Sequence, residues 1–194
     1  MLHGNRTNHL SQIDSTKPLI LLRDNVLRPN ECEYWIRTIV EAGPEPATIN
    51  TLGGAVIRNE VRNNRRVILD EPEWANVLFD RVKDKVPNEI HGMTLVGVNE
   101  RFRFYEYKPG QHFAPHLDGA FYRDETEQSW YTFMVYLNEG FKGGETVFLV
   151  EPEKSITPKT GMALLFQHHI IHTGSKVKSG IKYVLRTDLM YRKV

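Results

Sequence analysis

The fold of this chain is decided by one stretch of sequence, ERFRFYEYKPGQHFAPHLDG, which spans residues 100–119. In its first half, Phe102 and Phe104 point to one face of an extended chain, and Tyr105 and Tyr107 point to the other, because successive side chains of a strand alternate. This alternation of aromatic residues predicts a β-strand. Similar segments follow in both directions along the chain.

Short segments rich in β-branched and aromatic residues fill the chain beyond residue 92. Gly, Pro or Asn turns separate them, which is typical of successive strands. An earlier buried strand is predicted at 18–23. The segments beyond residue 92 are 94–98, 101–107, 111–117, 130–138, 145–149, 162–167, 169–173 and 181–191.

Two helices are predicted between the first strand and this series. One runs from Pro29 to Ala42 and ends at Gly43, and the other runs from an N-cap at Asp70 to about Lys85. The stretch GPEPATINTLGG (43–54) is predicted to be a loop. The apolar positions with helical spacing are Cys32, Trp35, Ile36, Ile39 and Val40 in the first helix, and Trp74, Leu78 and Val82 in the second.

Helices followed by many strands favour a mainly β, α+β fold, with the helices on one face of a sandwich or barrel. The 194 residues suit a single domain over 17–194, with helical support over 28–86 and a catalytic β-core over 93–192. Residues 1–16 are predicted to form a flexible polar tail.

Composition narrows the partners and the compartment. The net charge of +1 makes nucleic acid an unlikely partner, although VRNNRR (61–66) is a local basic cluster. Cys32 is the only cysteine, which excludes an intrachain disulfide and a cysteine-rich zinc site. The sequence has no apolar run of the roughly 20 residues that a membrane-spanning helix needs, and no secretory leader is evident. A cytoplasmic protein without membrane contact is therefore predicted.

His116 and Asp118 form the first part of a candidate metal site. They stand two positions apart, so on a strand both side chains project from the same face. An isolated pair of this kind is common by chance and carries little weight alone. A second histidine from a distant strand would complete a facial two-His, one-carboxylate set, which leaves open positions on an O2-activating iron.

The stretch HHIIHTG (168–174) offers that second histidine. The sequence favours His172, since it precedes a Gly-containing turn and a basic residue follows ten positions later. His168 and His169 are interpreted as local supports or core residues. His112 is a weaker alternative, because Pro115 interrupts the register that would align it with the pair.

The final predicted strand carries a basic face. Lys182 and Arg186 share that face with Val184 and Asp188. A cation there could hold the far carboxylate of a dicarboxylate whose other end chelates the metal. The alternative interpretation is a solvated edge strand whose charges prevent aggregation.

Four ordered motifs resemble the 2-oxoglutarate/Fe(II) dioxygenase domain of the prolyl 4-hydroxylase type, over about residues 95–192. They are YEYKPGQHFAPHLDG (105–119), TFMVYLNEGFKGGETVF (132–148), PKTGMALLFQHHIIHTG (158–174) and GIKYVLRTD (180–188). The resemblance implies a double-stranded β-helix that uses Fe(II), 2-oxoglutarate and O2. It also implies hydroxylation of a substrate C–H bond with release of succinate and CO2.

Individual roles also follow from the resemblance. The metal ligands would be His116, Asp118 and His172. Lys182 would anchor the far carboxylate of 2-oxoglutarate, with Arg186 as the rival anchor. In addition, Tyr136 would bind that carboxylate and Tyr107 would line its pocket.

This chain departs from the collagen type at Gly119, Ala120 and Phe121, which replace aromatic positions, and at Arg186, which has no basic counterpart there. These departures leave the substrate open. A prolyl or similar side chain in a peptide or protein is favoured, with a free amino acid or small metabolite as the alternative. A nucleic-acid dealkylating enzyme and a binding module without catalysis are weaker alternatives.

The substrate is expected to enter between residues 50–66 and residues 119–129. Arg62, Asn64 and Arg66 alternate and could face the cleft together. Gly53 and Gly54 would allow the first segment to move as a lid. The alternative is a solvated loop far from the metal.

Overall fold

The computed structural model describes residues 12–51 and 53–194. Within them the chain forms two helices, α1 (Pro29–Ala42) and α2 (Pro72–Val82), and seventeen strands. The strands are β1 (Ile20–Arg23), β2 (Glu45–Pro46), β3 (Ile49–Thr51), β4 (Gly54–Val56), β5 (Arg65–Asp70), β6 (Glu89–Ile90), β7 (Met93–Val98), β8 (Arg101–Tyr107), β9 (Phe113–His116), β10 (Glu127–Tyr136), β11 (Lys142–Gly143), β12 (Thr146–Phe148), β13 (Lys154–Ile156), β14 (Ala163–Gln167), β15 (His172–Gly174), β16 (Val177–Ser179) and β17 (Lys182–Lys193).

Two antiparallel sheets form the body of the protein. The larger follows the order β1-β14-β10-β17-β8-β5-β2, with β7 also paired to β17, and the smaller follows β13-β12-β15-β9. Sequence neighbours are often separated in these sheets, as in a jelly roll. The predicted mainly β fold with a double-stranded β-helix core is confirmed.

The alternation predicted in β8 separates two cores. Phe102 and Phe104 pack with the buried face of α1, where the ring centroids of Trp35 and Phe104 are 4.8 Å apart. Tyr105 and Tyr107 belong instead to a second buried cluster that includes residues of the smaller sheet. One face of β8 therefore supports the helices, and the other faces the interior between the sheets.

The first helix matches its predicted bounds and ends at Gly43, whose φ of 68° suits glycine. Its predicted apolar face is buried at Cys32, Trp35 and Ile39, but the assignment of Val40 was wrong, since this side chain is 55% exposed. Val40 therefore lies outside the buried stripe of this helix.

The region between the helices differs from the prediction. The predicted loop 43–54 contains the short strands β2 and β3 and the start of β4. Residues 65–70 form β5, which pairs along β8. Asp70 closes that strand opposite Arg101, so the N-cap of α2 is Glu71 and the helix ends at Val82. The partner strand decided these bounds, because pairing stabilises a polar segment whose own pattern is weak.

Smaller strands also escaped the sequence analysis. β11, β13 and β16 were not predicted, and β10 begins at Glu127, three residues before the predicted start of that strand at residue 130. Each is fixed by its neighbour in a sheet rather than by its own composition.

Residues 1–11 of the predicted tail lie outside the described residues. The last part of the tail, residues 12–16, contacts the sheet through Asp14. Its N–H donates to Gln167 Oε1 at 2.9 Å, and Gln167 Nε2 donates to Asp14 O at 2.9 Å. Neither helix in the described part of the chain is long and apolar enough to span a bilayer.

Candidate metal centre

Strand pairing brings the two predicted histidine ligands together. In the smaller sheet, β9 lies antiparallel to β15, and His116 stands directly opposite His172 in the register. Their ring centroids are 4.2 Å apart. Asp118 follows two residues after His116, and its backbone N–H donates to His168 O at 3.0 Å.

Both imidazoles are oriented by backbone carbonyl groups. The Nδ1 atoms of His116 and His172 lie 2.8 Å from Ala114 O and 2.9 Å from Ile170 O. Since a carbonyl oxygen only accepts, each Nδ1 carries a proton, and in the neutral ring this leaves the lone pair on Nε2. This is how metal-binding histidines are usually held.

His116, Asp118 and His172, hereafter the candidate triad, have ligand atoms within 4.8 Å of one another. Among the described residues this is the one group of three or more such side chains, and it does not include His112 or His169. Each Nε2 lies 3.6 Å from an oxygen of Asp118. The converging donors fit a divalent cation between them.

The protonation states also fit a metal. Burial lowers the pKa of His172 to about 4, so its ring is neutral at pH 7. Burial by itself would raise the pKa of Asp118, but Arg186 and the two imidazoles hold it well below its ordinary value. Two imidazoles that present Nε2 and one carboxylate make the donor set that suits non-haem iron(II).

A chain of hydrogen bonds behind Asp118 was not found from the sequence. Thr132 Oγ1 donates to Asp118 Oδ2 at 2.6 Å and lies 2.9 Å from Nδ1 of His168, whose Nε2 lies 2.8 Å from Ser129 Oγ. Ser129 Oγ accepts from the N–H of Phe121 at 2.8 Å. His168 is therefore a buried support of the carboxylate, as the sequence suggested.

The direction of this chain is fixed by its ends. The hydroxyl of Thr132 donates its one proton to Asp118, so Nδ1 of His168 must donate to Thr132. In the neutral ring, Nε2 of His168 must then accept from the hydroxyl of Ser129. Burial lowers the pKa of His168 to about 4, which keeps the ring in the neutral form that this pattern needs. One signal in the sequence points to Thr132: it stands four residues before Tyr136 on one strand, so both side chains project from the same face.

Thr132→Val should weaken metal binding without blocking folding, because it removes the donor to Asp118 and keeps the side-chain shape. We expect a loss of about 10- to 100-fold in affinity for Mn(II) or Co(II), the range typical of such outer groups. Isothermal titration calorimetry measures the change.

Thr187→Val is the matched control for this variant. Thr187 is equally buried, but its hydroxyl donates to Asn99 O, away from the candidate triad. It should keep wild-type metal affinity. Equal affinities for Thr132→Val and wild type would contradict the role assigned to the hydrogen-bond chain.

Lys182 lies at the far end of a cavity that begins at the candidate triad, hereafter the lysine cavity, which Tyr107, Thr146 and Lys182 also line. Lys182 is 3% exposed, and its Nζ donates to Gly144 O at 2.6 Å. The hydroxyl of Tyr136 donates to Thr146 Oγ1 at 2.7 Å. The ammonium group has further donors, so this end fits a carboxylate.

Tyr107 and Tyr136 flank the lysine. Their ring centroids lie 5.4 Å and 5.3 Å from Lys182 Nζ. Burial lowers the pKa of Lys182 to about 7, and the negative charge of Glu145 opposes this shift only in part. A bound carboxylate would favour the charged form.

Arg186 lies at the opposite end of the lysine cavity. Its Nη2 is 3.1 Å from Asp118 Oδ1 and 3.8 Å from Asp188 Oδ1. The two candidate anchors are therefore separated, with Lys182 at the closed end and Arg186 beside the candidate triad.

The predicted substrate residues lie on the other side of the candidate triad. The guanidinium group of Arg62 is sandwiched 4.4 Å from the ring centroids of both Tyr105 and Phe113, and its Nε donates to Asn64 Oδ1 at 2.6 Å. Arg66 Nη2 donates to Thr48 Oγ1 at 2.7 Å.

Arg62 and Arg66 line a second cavity of about 550 Å³, hereafter the arginine cavity, which also reaches His116, Asp118 and Arg186. The alternation expected for three cleft residues was wrong for Asn64, which is buried behind Arg62 and is not part of the lining. Both predicted entrance segments contribute walls, through Val61 and Arg62 on one side and Gly119 to Phe121 on the other. Movement of the first segment as a lid stays a prediction.

Comparison with known proteins agrees with this geometry. The profile of the 2OG-Fe(II) oxygenase superfamily matches residues 102–187, which contain the candidate triad and Lys182. The chain is thus similar to this superfamily over the strands that carry the candidate triad, and this similarity identifies a 2OG/Fe(II) dioxygenase. The protein is an oxidoreductase of the dioxygenase type that uses iron(II), 2-oxoglutarate and O2.

Relatives of this 2OG-Fe(II) oxygenase include Prolyl 4-hydroxylase 1 of Arabidopsis thaliana, which is 23% identical over 89% of this chain. That match covers 69% of the plant protein, and matches to other curated plant relatives cover between 32% and 63% of their lengths. The oxygenase is thus prolyl 4-hydroxylase-like in sequence.

Two solved structures share the fold of the oxygenase. The viral collagen prolyl hydroxylase of Paramecium Bursaria Chlorella virus-1 has a TM-score of 0.62 at 24% identity, covering 90% of this chain and 97% of that one. A Pseudomonas putida prolyl-4-hydroxylase has a TM-score of 0.64 at 17% identity, covering 96% and 98%. Their agreement concerns the arrangement of the strands.

Proposed function

We propose that this oxygenase hydroxylates a prolyl or similar side chain in a peptide or protein, with iron held by the candidate triad and 2-oxoglutarate held by Lys182. The observation that carries the proposal is the lysine cavity, where a three-donor metal set and a buried ammonium group occupy opposite ends. A dicarboxylate that chelates a metal at one end needs a cation at the other. When bound, iron and 2-oxoglutarate supply the oxidising chemistry: one atom of O2 enters the substrate C–H bond and the other enters succinate, with loss of CO2.

The protein's own residues orient and enclose the reactants. His116 and His172 present their Nε2 atoms, and Asp118 is held in place by Thr132 and Arg186. Lys182 supplies charge at the closed end of the lysine cavity, where burial excludes water and strengthens its attraction for a carboxylate. The arginine cavity brings a substrate to the same metal from the other side.

The similarity of this chain to prolyl hydroxylases supports a peptide substrate. One structural neighbour is a prolyl hydroxylase from Trichoplax adhaerens solved with a peptide fragment, which overlaps this chain with a TM-score of 0.66. The volume of the arginine cavity, about 550 Å³, suits a side chain with its flanking backbone or a small molecule. The cytoplasmic location stays a prediction.

The proposed function is tested by incubating the purified protein with Fe(II), 2-oxoglutarate and a library of proline-containing peptides. Succinate should form with a peptide product heavier by one oxygen atom, and fragmentation should place that atom on proline. Free amino acids form a parallel arm. Oxidation in that arm alone would replace the peptide substrate with a small metabolite, and absence of succinate with every substrate and without substrate would contradict the proposal.

Affinity for 2-oxoglutarate should fall as the pH rises above 7. The pKa of Lys182 is lowered to about 7, so above this pH the free protein must take up a proton before it binds the carboxylate. The dissociation constant should stay nearly constant below pH 7 and rise by about tenfold per pH unit above it. Calorimetry with Mn(II) in place of iron measures the profile.

The same titration of Lys182→Met is the control. Tyr107, Tyr136 and Glu145 are the other titratable groups around Lys182, and all three remain in that variant. Its profile should be flat between pH 6 and about 9. A slope that survives the substitution would assign the pH dependence to another group.

A further inference from the structure

The arginine cavity is strongly cationic in a chain of nearly balanced charge. Fifteen residues line it, of which four are arginines, and the one acidic residue among them is Asp118 of the candidate triad. The chain as a whole has a formal net charge of +1. The lining arginines are Arg62, Arg66, Arg103 and Arg186.

Only part of this charge is neutralised by the protein. Arg103 Nη1 lies 3.2 Å from Asp188 Oδ2, and Arg186 pairs with Asp118, which a bound metal would share. Arg62 and Arg66 have no acidic partner within 4.0 Å in the part of the chain that the structure describes. Arg62 is 5% exposed and is held by the two aromatic rings, so its position is fixed before any ligand arrives.

Three buried polar atoms around this cavity, Arg62 Nη2, Arg186 Nε and the hydroxyl of Tyr105, make no hydrogen bond of acceptable geometry with the residues described. The hydroxyl of Tyr105 lies close enough to both guanidinium groups to interact with them, but not in a geometry that satisfies all three atoms. Burial by itself would raise the pKa of Tyr105, but the charges of Arg62, Arg186 and Arg103 lower it to about 8, and the guanidinium group of Arg62 lies 4.4 Å from the Tyr105 ring centroid. Unsatisfied buried donors are costly, so a ligand acceptor at this position would be stabilising.

We propose that the arginine cavity binds a carboxylate of the substrate between Arg62 and Arg186. This inference rests on the proposed function, since it assumes that the substrate reaches the metal through this cavity. The 2-oxoglutarate carboxylates are accounted for by the lysine cavity. The substrate carboxylate has two possible sources, an acidic side chain next to the hydroxylated residue or the free α-carboxylate of a small acid.

A carboxylate fits the donors better than a phosphate does. The free donors are few, and guanidinium groups match the flat geometry of a carboxylate in pairs. The carboxylate would also place the neighbouring carbon atoms beside His116 and Asp118, because the same cavity reaches both.

The test uses two matched pairs of probes and the full chain saturated with Mn(II) and 2-oxoglutarate. The first pair is N-acetyl-Pro-Glu-N-methylamide and its Gln analogue, and the second is N-acetyl-L-proline and its amide. In at least one pair, the acid should bind at least about tenfold more tightly than the neutral analogue in calorimetry. The pair that shows the preference identifies the source of the carboxylate.

Arg62→Gln should abolish the preference for the acid while leaving the affinity for 2-oxoglutarate unchanged. If Arg62→Gln does not fold, Arg66→Gln is measured in its place, and it should reduce the preference for the acid. The matched control is Arg65→Gln, because Arg65 lies next to Arg66 on β5 but is exposed and does not line the arginine cavity. The control should keep the wild-type preference.

Failure of this inference can be separated from failure of the proposed function. If 2-oxoglutarate binds but both probe pairs show no preference, the carboxylate site is overturned and the oxygenase assignment stands. A preference that survives in the folded arginine variants, or inorganic phosphate displacing the acids at lower concentration than acetate does, also overturns it. If 2-oxoglutarate does not bind, the pairs are titrated with Mn(II) alone, and the same preference and its loss in the variants decide the site.

Discussion

His172→Ala abolishes hydroxylation and the binding of a divalent metal, if the candidate triad holds the iron. The variant removes one of two nitrogen ligands and leaves Asp118 and His116 without their partner across the β9–β15 pair. The expected loss of metal affinity exceeds the factor of about 10–100 that follows removal of an outer supporting group. Succinate formation and calorimetry with Mn(II) measure the two effects.

His169→Ala is the matched control, because His169 lies three residues away on the same segment and outside the candidate triad. It should bind metal and turn over 2-oxoglutarate at wild-type levels. Circular dichroism should show both variants folded. If His169→Ala loses the metal while His172→Ala keeps it, the assignment within HHIIHTG is reversed.

Lys182→Met raises the KM for 2-oxoglutarate by about 10- to 100-fold, because a hydrogen bond between charged groups contributes about 1.5–3 kcal/mol. Lys182 is 3% exposed in the lysine cavity, so the substitution removes a charge from a site that solvent barely reaches. The folded-state pKa of this group is depressed, so burying it destabilises the folded protein at every pH below the ordinary pKa of lysine, through loss of its proton above about pH 7 and through the buried charge below it. The thermal midpoint of Lys182→Met at pH 7 should therefore not fall below that of wild type.

Lys178→Met tests whether any lysine near this turn would give the same result. Lys178 is exposed on β16, and its removal should leave the KM for 2-oxoglutarate unchanged. Arg186→Gln tests the rival anchor. If only Arg186→Gln raises the KM while retaining metal, the roles of Lys182 and Arg186 are exchanged.

The sequence alone determined the strand character of β8 and the basic face of the last strand, whereas Asp118 lies beyond the end of β9, so strand alternation does not account for its place beside His116. The two strand features depend on spacing within a few residues, which the geometry of a strand converts directly into a shared face. The bounds of the first helix also followed from local signals, since Pro29 and Gly43 mark its ends through their own backbone preferences. The resemblance to a known family supplied the order of the motifs.

Only the tertiary structure decided how distant segments meet. The register of β9 against β15 sets His172 opposite His116, and the folded chain places Thr132 and His168 behind Asp118. It also separates Lys182 from Arg186, which share a strand face in the sequence but lie at opposite ends of one cavity. Asn64 shows the same limit, because alternation predicted its side but not that Arg62 would cover it. Such contacts depend on register and packing between elements far apart in the chain, and periodicity within one element does not encode them.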